Sequence, residues 1–273
     1  MKYTPRELAD NVNVSVTHPL KELVWMVGGL VAIVVIVSLA FWLISEWVVP
    51  RVPVDVEVWA GKKLMGQVSG KQNQELTGIL HRLLKALPPD SPLRRYNFSV
   101  RVADSKEVNA VALPGGRIVV FSGLLVQARS ENELAMVLGH ELGHYAHRDH
   151  LRALGRGLGV TLAMAMMFGK DSQAASLASD MFHGMEMRYS QKQEQAADAF
   201  GLDLLEAGYG HVGGATDLFS RLTGEAGSKY SYVLASHPHP EARISALRAM
   251  IAAKGYPVRA TIALRGRSTE KKK

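Results

Sequence analysis

The sequence predicts a mainly helical α+β domain with a small β-sheet, set behind one N-terminal transmembrane helix. Three observations lead there. A run without a charged residue, Leu23 to Ser45, stands near the N-terminus. Short β-type stretches are confined to 54–121, and apolar residues recur at helical spacing in much of the rest. The stretch Ser130 to His150, SENELAMVLGHELGHYAHRDH, joins a helical apolar face to a cluster of His and Glu.

Length and composition set the bounds. A chain of 273 residues holds one sizeable domain with appendages, or two small ones. A hydrophobic content of 47% suits a globular protein with one membrane segment. Cysteine is absent, which excludes disulfides and thiolate metal sites and leaves His and carboxylates as metal ligands. Most of the formal net charge of +7 lies at 259–273, in Arg259, Arg265, Arg267, Lys271, Lys272 and Lys273 against Glu270. Such a run reads as a solvated, disordered tail, not as a nucleic-acid surface.

Residues 1–22 form a polar leader of mixed charge, in which Pro5 and Pro19 discourage a long helix. The anchor is expected over 23–49. Its uncharged run makes about 34 Å of helix, enough to cross a hydrocarbon core of about 30 Å. Trp25, Trp42 and Trp47 lie near its two ends, and Pro50 and Pro53 stop it. A cleaved signal peptide is the rival reading, with Ser38-Leu39-Ala40 as a loose cleavage site. The apolar run continues past that site to Ile44, which favours an uncleaved anchor. Lys2, Arg6 and Lys21 on one side balance Arg51, Lys62 and Lys63 on the other, so the positive-inside rule gives no orientation. A short leader commonly stays in the cytoplasm; in a bacterial inner membrane this puts the domain in the periplasm.

The domain itself is expected over 54–258. The alternation of Val54 to Val58 reads as a strand, and Gln72 to Leu87 as a helix stopped by Pro88-Pro89. Phe98 to Val102 and Arg117 to Phe121 read as strands, with Pro114-Gly115-Gly116 as a tight turn between strands. Ser122-Gly123 begins a short helix. Ser130 and Glu133 then fit the capping box of a longer one, whose apolar face is Leu134, Val137, Leu138 and Leu142. Gly143 costs that helix about 1 kcal/mol, tolerable where a larger residue would crowd a neighbour. Gly157 to Gly169 is short for a span and reads as a buried or interfacial helix. Met164, Met166, Met167, Met181, Met185 and Met187 read as gap-filling core or groove lining.

His140-Glu141-Leu142-Gly143-His144 is an H-E-x-x-H pentad. Positions i and i+4 share a helix face, so His140 and His144 can hold one ion, usually Zn²⁺ for this motif. Glu141 lies about 100° round the helix, where it can act as base toward water beside the metal. Two candidates for a third ligand are visible. Glu194 lies in the helical stretch Tyr189 to Phe200, with Asp198 at i+4 able to hold a ligand imidazole, and Ala196-Ala197 small enough for close packing. His150 occupies the third position of H-E-x-x-H-x-x-G-x-x-H, but that motif needs Gly where His147 stands, which favours Glu194. His147 and His150 then belong to the polar end of the helix.

Four segments in order, Asn109-Ala110 to Pro114-Gly115-Gly116, His140-Glu141-x-x-His144, Glu194-x-x-Ala197-Asp198 and Ser236-His237-Pro238 to Arg243, resemble the M48 metallopeptidases, which include the Ste24, Oma1 and HtpX types. The resemblance runs from about Phe98 to Ala253. It implies a zincin-type domain with one Zn²⁺ held by His140, His144 and Glu194, and Glu141 as base. It further implies that His237 stabilises an oxyanion or fills the open metal position at rest. Asn109, Gly115 and Gly116 correspond to the strand and turn beside the substrate cleft. With one clear anchor, the chain is nearer to Oma1-like and periplasmic members than to the Ste24 and HtpX types with several spans. Polypeptide substrates, protein quality control and a lipid bilayer as partner follow as expectations. The alternative is a membrane-tethered chaperone or assembly factor with a latent or structural zinc site.

Overall fold

The computed structural model describes residues 18–64, 70–155, 157, 165, 169, 189–224, 237 and 240–264. The first helix, α1 (Pro19–Val48), begins before the uncharged run because Pro19 fits the first helical turn, where its missing N–H is no loss. It closes in a 3₁₀ turn, Val49–Arg51. It is the one helix among the described residues long and apolar enough to cross a membrane, with a mean hydropathy of 2.8.

The expected strand at Val54 to Val58 is instead the start of helix α2 (Val54–Leu64). Five alternating residues do not separate a period of 2 from one of 3.6. The buried positions settle it: Val54, Glu57 and Gly61 face inward and Asp55 and Val56 outward. A charged residue on the buried face hid the helical pattern. Helix α3 (Gln74–Ala86) is capped by Asn73, whose side chain accepts from the Leu76 amide, and buries Leu76, Ile79, Leu80 and Leu83.

The sheet holds β1 (Lys71–Gln72), β2 (Ser99–Ala103), β3 (Ala110–Leu113) and β4 (Arg117–Phe121), in the order β1-β2-β4-β3. Strands β2 and β4 are parallel, while β3 and β4 form an antiparallel hairpin that leaves β3 at the edge. Gly115 and Gly116 turn it at φ 85° and 80°, a region that favours glycine. Helix α4 (Ser122–Gln127) leads on to α5 (Glu131–Ala146).

Helix α5 is the centre of the domain. Every residue from Asn132 to Tyr145 is buried, so it has no solvent face for its apolar stripe to oppose. Only half of the expected capping box forms. Ser130 Oγ accepts from the Glu133 amide at 3.2 Å, but the Glu133 carboxylate takes the Arg129 amide at 2.8 Å and pairs with Arg221 at 2.6 Å. Helix α6 (Gln191–Tyr209) has the complete box, from Ser190 and Gln193.

Close approach of α5 and α6 rests on small residues. A Cβ on Gly143 would lie 2.7 Å from the Ala197 Cα, and one on Gly139 would lie 3.0 Å from the Gly201 Cα. Ala197 makes this contact, and Ala196 beside it is only half-buried. Residues 149–155, after a two-residue turn at the end of α5, are also helical, and helices α7 (Asp217–Gly224) and α8 (Pro240–Lys254) follow later in the chain. The chain does not leave the fold at Arg259, as the tail reading expected. The Val212 amide donates to the Pro257 carbonyl at 2.8 Å, and the Glu131 amide to that of Ile262 at 2.8 Å. Ala263 bridges Ser130. Backbone pairing holds this segment irrespective of side-chain charge. The leader to residue 17, most of Gly157 to Gly169, the six methionines named above, Ser236, Pro238 and 265–273 lie outside the described residues.

Candidate metal centre

His140 and His144, one turn apart on α5, bring their Nε2 atoms to 3.1 Å. Glu194 faces them from the first turn of α6, its carboxylate oxygens 3.6 Å from His140 Nε2 and 3.5 Å from His144 Nε2. Ligands about 2.0–2.1 Å from a tetrahedral zinc stand about 3.3 Å apart, so this donor set fits such an ion. His237 closes on the same point. Its ligand atom and those of His140, His144 and Glu194 lie within 4.8 Å of one another, all four side chains buried.

Each imidazole is oriented from behind. His140 Nδ1 lies 2.9 Å from Asp198 Oδ1, and Asp198 in turn accepts from Arg243 Nε and Nη2 at 2.7 and 2.6 Å. Arg243 also reaches Glu194 through Nη1 at 2.7 Å, so one guanidinium serves both Glu194 and Asp198. His144 Nδ1 lies 3.0 Å from Asp149 Oδ2, and Asp149 accepts from Gln193 Nε2 at 2.6 Å. A proton held at Nδ1 by a carboxylate leaves the Nε2 lone pair free toward the shared point. The Tyr189 ring stacks on His144 at 3.8 Å.

The charges follow from these partners. Burial, with Arg243 nearby, lowers the His140 pKa to about 4. Burial also works against a charged His144, but Asp149 and Glu194 outweigh it and raise that pKa to about 9. Glu194 and Asp198 stay well below the usual carboxylate range despite burial, Glu194 through His237 and His144, Asp198 through Arg243 and His140. Glu141 moves the other way. Burial raises its carboxyl pKa against the pull of His237 and His144.

Glu141 stands beside the Ala112 amide of β3, with Oε1 3.8 Å from His237 Nε2. Its Oε2 is buried and has no hydrogen-bond partner among the described residues. Asn109 lines a small cavity with His140, Glu141, His237, Leu218 and Phe219. The structure does not bring Gly115 and Gly116 there. Their amides donate to Glu57 Oε1 at 3.2 Å and Tyr145 Oη at 3.0 Å, in a turn covered by α2.

His150 is neither in the cluster nor at a polar helix end. It is fully buried and bonded to Glu57 at 2.8 Å, because α2 covers the start of the helical stretch that follows α5. His147 is exposed and donates from Nδ1 to the Gly143 carbonyl at 2.8 Å, as suits a helix C-terminus. Three contributors escaped the sequence reading. Asp149 carried one signal, an acid shortly after a candidate ligand. Tyr189 and the double role of Arg243 carried none in their spacing.

Comparison with known proteins agrees with this geometry. The model of peptidase family M48 matches residues 70–251. The mitochondrial metalloendopeptidase OMA1 of Arabidopsis thaliana is 32% identical over 163 residues, 58% of this chain and 33% of that protein. A putative beta-barrel assembly-enhancing protease of Vibrio cholerae is 30% identical over 199 residues, 68% of this chain and 40% of that one. The metalloprotease LoiP of Escherichia coli is 31% identical over 192 residues, 67% of this chain and 73% of LoiP. The chain thus spans less than half the length of the first two relatives. With a family match over most of the domain and a buried His-His-Glu-His cluster inside it, the chain belongs to peptidase family M48, a family of metalloproteases.

Proposed function

We propose that the chain is a zinc-dependent endopeptidase held at a membrane by α1. The observation that carries this reading is the buried set of His140, His144 and Glu194 at tetrahedral-edge spacing, with the unpartnered Glu141 carboxylate oxygen beside it. When bound by these three residues, zinc supplies Lewis acidity, polarising a peptide carbonyl and bringing the pKa of water to about 7. Glu141 takes the proton of the attacking water and returns one to the leaving amine. Asp198 and Asp149 fix the two imidazoles. His237, whose Nε2 lies 3.8 Å from Glu141 Oε1, can donate to the oxygen of the tetrahedral carbon. Edge strand β3 runs past Glu141, so an extended substrate can add to it as a further strand.

The apolar, outward-facing α1 supports anchoring in a membrane; a bacterial inner membrane, with the short leader inside and the domain in the periplasm, is the placement this reading adopts. Two relatives named as assembly-enhancing or mitochondrial proteases support a substrate class of misassembled membrane-associated proteins. One observation favours a second reading, a tethered assembly factor with a latent site. His237 Nδ1 lies 3.0 Å from Glu194 Oε1, where the side chain can fill the last metal position.

Zinc content and casein cleavage of the purified full chain, wild type beside Glu141→Gln, test the proposal. One zinc in both, with cleavage reduced at least about 10³-fold in the variant, is the expected result. Zinc in both without cleavage in either favours the latent site, and absence of zinc removes the metal reading altogether.

A further inference from the structure

We propose that Arg148 is a positioning residue through which the segment following α1 sets the metal affinity of the site; this rests on the reading of His140, His144 and Glu194 as zinc ligands. Three consecutive residues, running from the turn after α5 into the helical stretch 149–155, each hold a different part of the molecule. Arg148 donates from Nη1 to the Val49 carbonyl at 2.9 Å and to the Val52 carbonyl, at the end of the membrane-type helix. Asp149 holds Nδ1 of His144 at 3.0 Å. His150 holds Glu57 of α2 at 2.8 Å. Asp149 therefore cannot move without its neighbours, and both neighbours are tied to the chain between α1 and the sheet.

Backbone conformation at Arg148 supports an imposed geometry. Its φ of 56° is positive, the one such value at a non-glycine among the described residues. A side chain in that region persists when its surroundings hold it there. The guanidinium lies on carbonyls at the C-terminal end of a helix, where a cation is favoured. Further contacts bring the same two regions together. Arg152 pairs with Glu46 at 3.0 Å, and a Cβ on Gly155 would lie 2.6 Å from Ser45 Oγ. The end of α1 is thus docked against the helical stretch 149–155, which begins with Asp149. A carboxylate behind a metal-binding imidazole typically changes metal affinity by about 10–100-fold. Anything that shifts the end of α1 then reaches zinc through Arg148, Asp149 and His144.

The test uses the full chain in detergent, with zinc affinity read by competition against a chromophoric chelator and folding followed by thermal melting. Arg148→Gly removes the guanidinium while the new residue accepts the positive φ without strain. It is expected to weaken zinc binding about 10-fold. Asp149→Asn should weaken it about 10–100-fold, and the double variant no further than Asp149→Asn alone, because Arg148 acts through Asp149. A Gly-Ser insertion between Arg51 and Val52, which moves the Val52 carbonyl away, should reproduce the Arg148→Gly loss. If Arg148→Gly does not fold, Arg148→Gln, which keeps one donor, is expected to show a smaller loss of the same kind. Unchanged affinity in the Arg148 variants, losses that multiply in the double variant, or an insertion without effect would overturn the proposal. Failure of the wild type to bind zinc at all would instead remove the metal reading on which it rests.

Discussion

Helices α1 and α5 both lack a solvent-facing polar stripe, for opposite reasons. In α1, Trp25, Met26, Val35 and Ile36 face outward with nothing among the described residues to cover them. Along that outward face the helix needs an apolar solvent and no single side chain requires a particular partner, while its C-terminal end, at Ser45 and Glu46, meets the domain. Helix α5 is enclosed on every side yet carries Asn132, Glu133, His140, Glu141 and His144 in its buried surface. Each of these has left water, so each depends on a group supplied from elsewhere in the fold. One helix is defined by composition and the other by its partners. Substitutions in the two should therefore differ sharply.

The largest expected effect on stability is at Arg243, the cation between Glu194 and Asp198. Arg243→Met leaves two buried carboxylates without it and should cost about 3–5 kcal/mol in metal-free protein, read by urea unfolding. Zinc should reduce the loss by compensating Glu194. Equal losses with and without zinc would detach Arg243 from the metal centre.

A pair of glycines gives the direct contrast. Gly143→Val places a Cβ 2.7 Å from the Ala197 Cα and should cost about 1–3 kcal/mol as α5 and α6 are forced apart. Gly28→Val in α1 meets nothing within 4 Å and should change stability by less than about 0.5 kcal/mol. If the Gly28 variant proved as damaging, α1 would have a protein partner along that face.

Glu57 lies between the two regimes, on α2, which follows α1 but is covered by the domain. Although burial opposes it, bonds to His150 and Tyr96 hold its carboxyl below the usual value of 4.5. The folded state therefore binds this proton less readily than the unfolded state does. Its contribution is complete above about pH 4.5 and is lost as pH falls through the lower folded value. Glu57→Gln should cost about 1–3 kcal/mol at pH 7, and the gap to wild type should shrink in acid. A gap independent of pH would show that shape, not charge, makes the contribution.

How far the sequence can be read follows from the same contrast. The strands at β2 and β4, helix α3 and the hairpin turn were legible because alternation, capping and Pro-Gly signals are local. So were the shared face of His140 and His144 and that of Glu194 and Asp198, since helical geometry fixes residues at i and i+4. Helix α2 was not legible, because its inward Glu57 is explained only by Tyr96, Gly115 and His150. His150 looked like the polar end of a helix until α2 covered it, and the segment beyond Arg259 looked like a free tail until its backbone paired beside α5.

By itself, then, the sequence determined an apolar helix able to cross a membrane, a helix presenting two imidazoles and a carboxylate, and a second helix with a paired Glu and Asp. The tertiary structure decided which of these meet: that Glu194 faces His140 and His144, that Arg243 binds both carboxylates, and that the end of α1 packs on the helical stretch that begins with Asp149. The reason is physical. Positions within one helix are set by bond geometry over a few residues, whereas contacts between helices depend on how the whole core packs and leave no periodic trace in the chain.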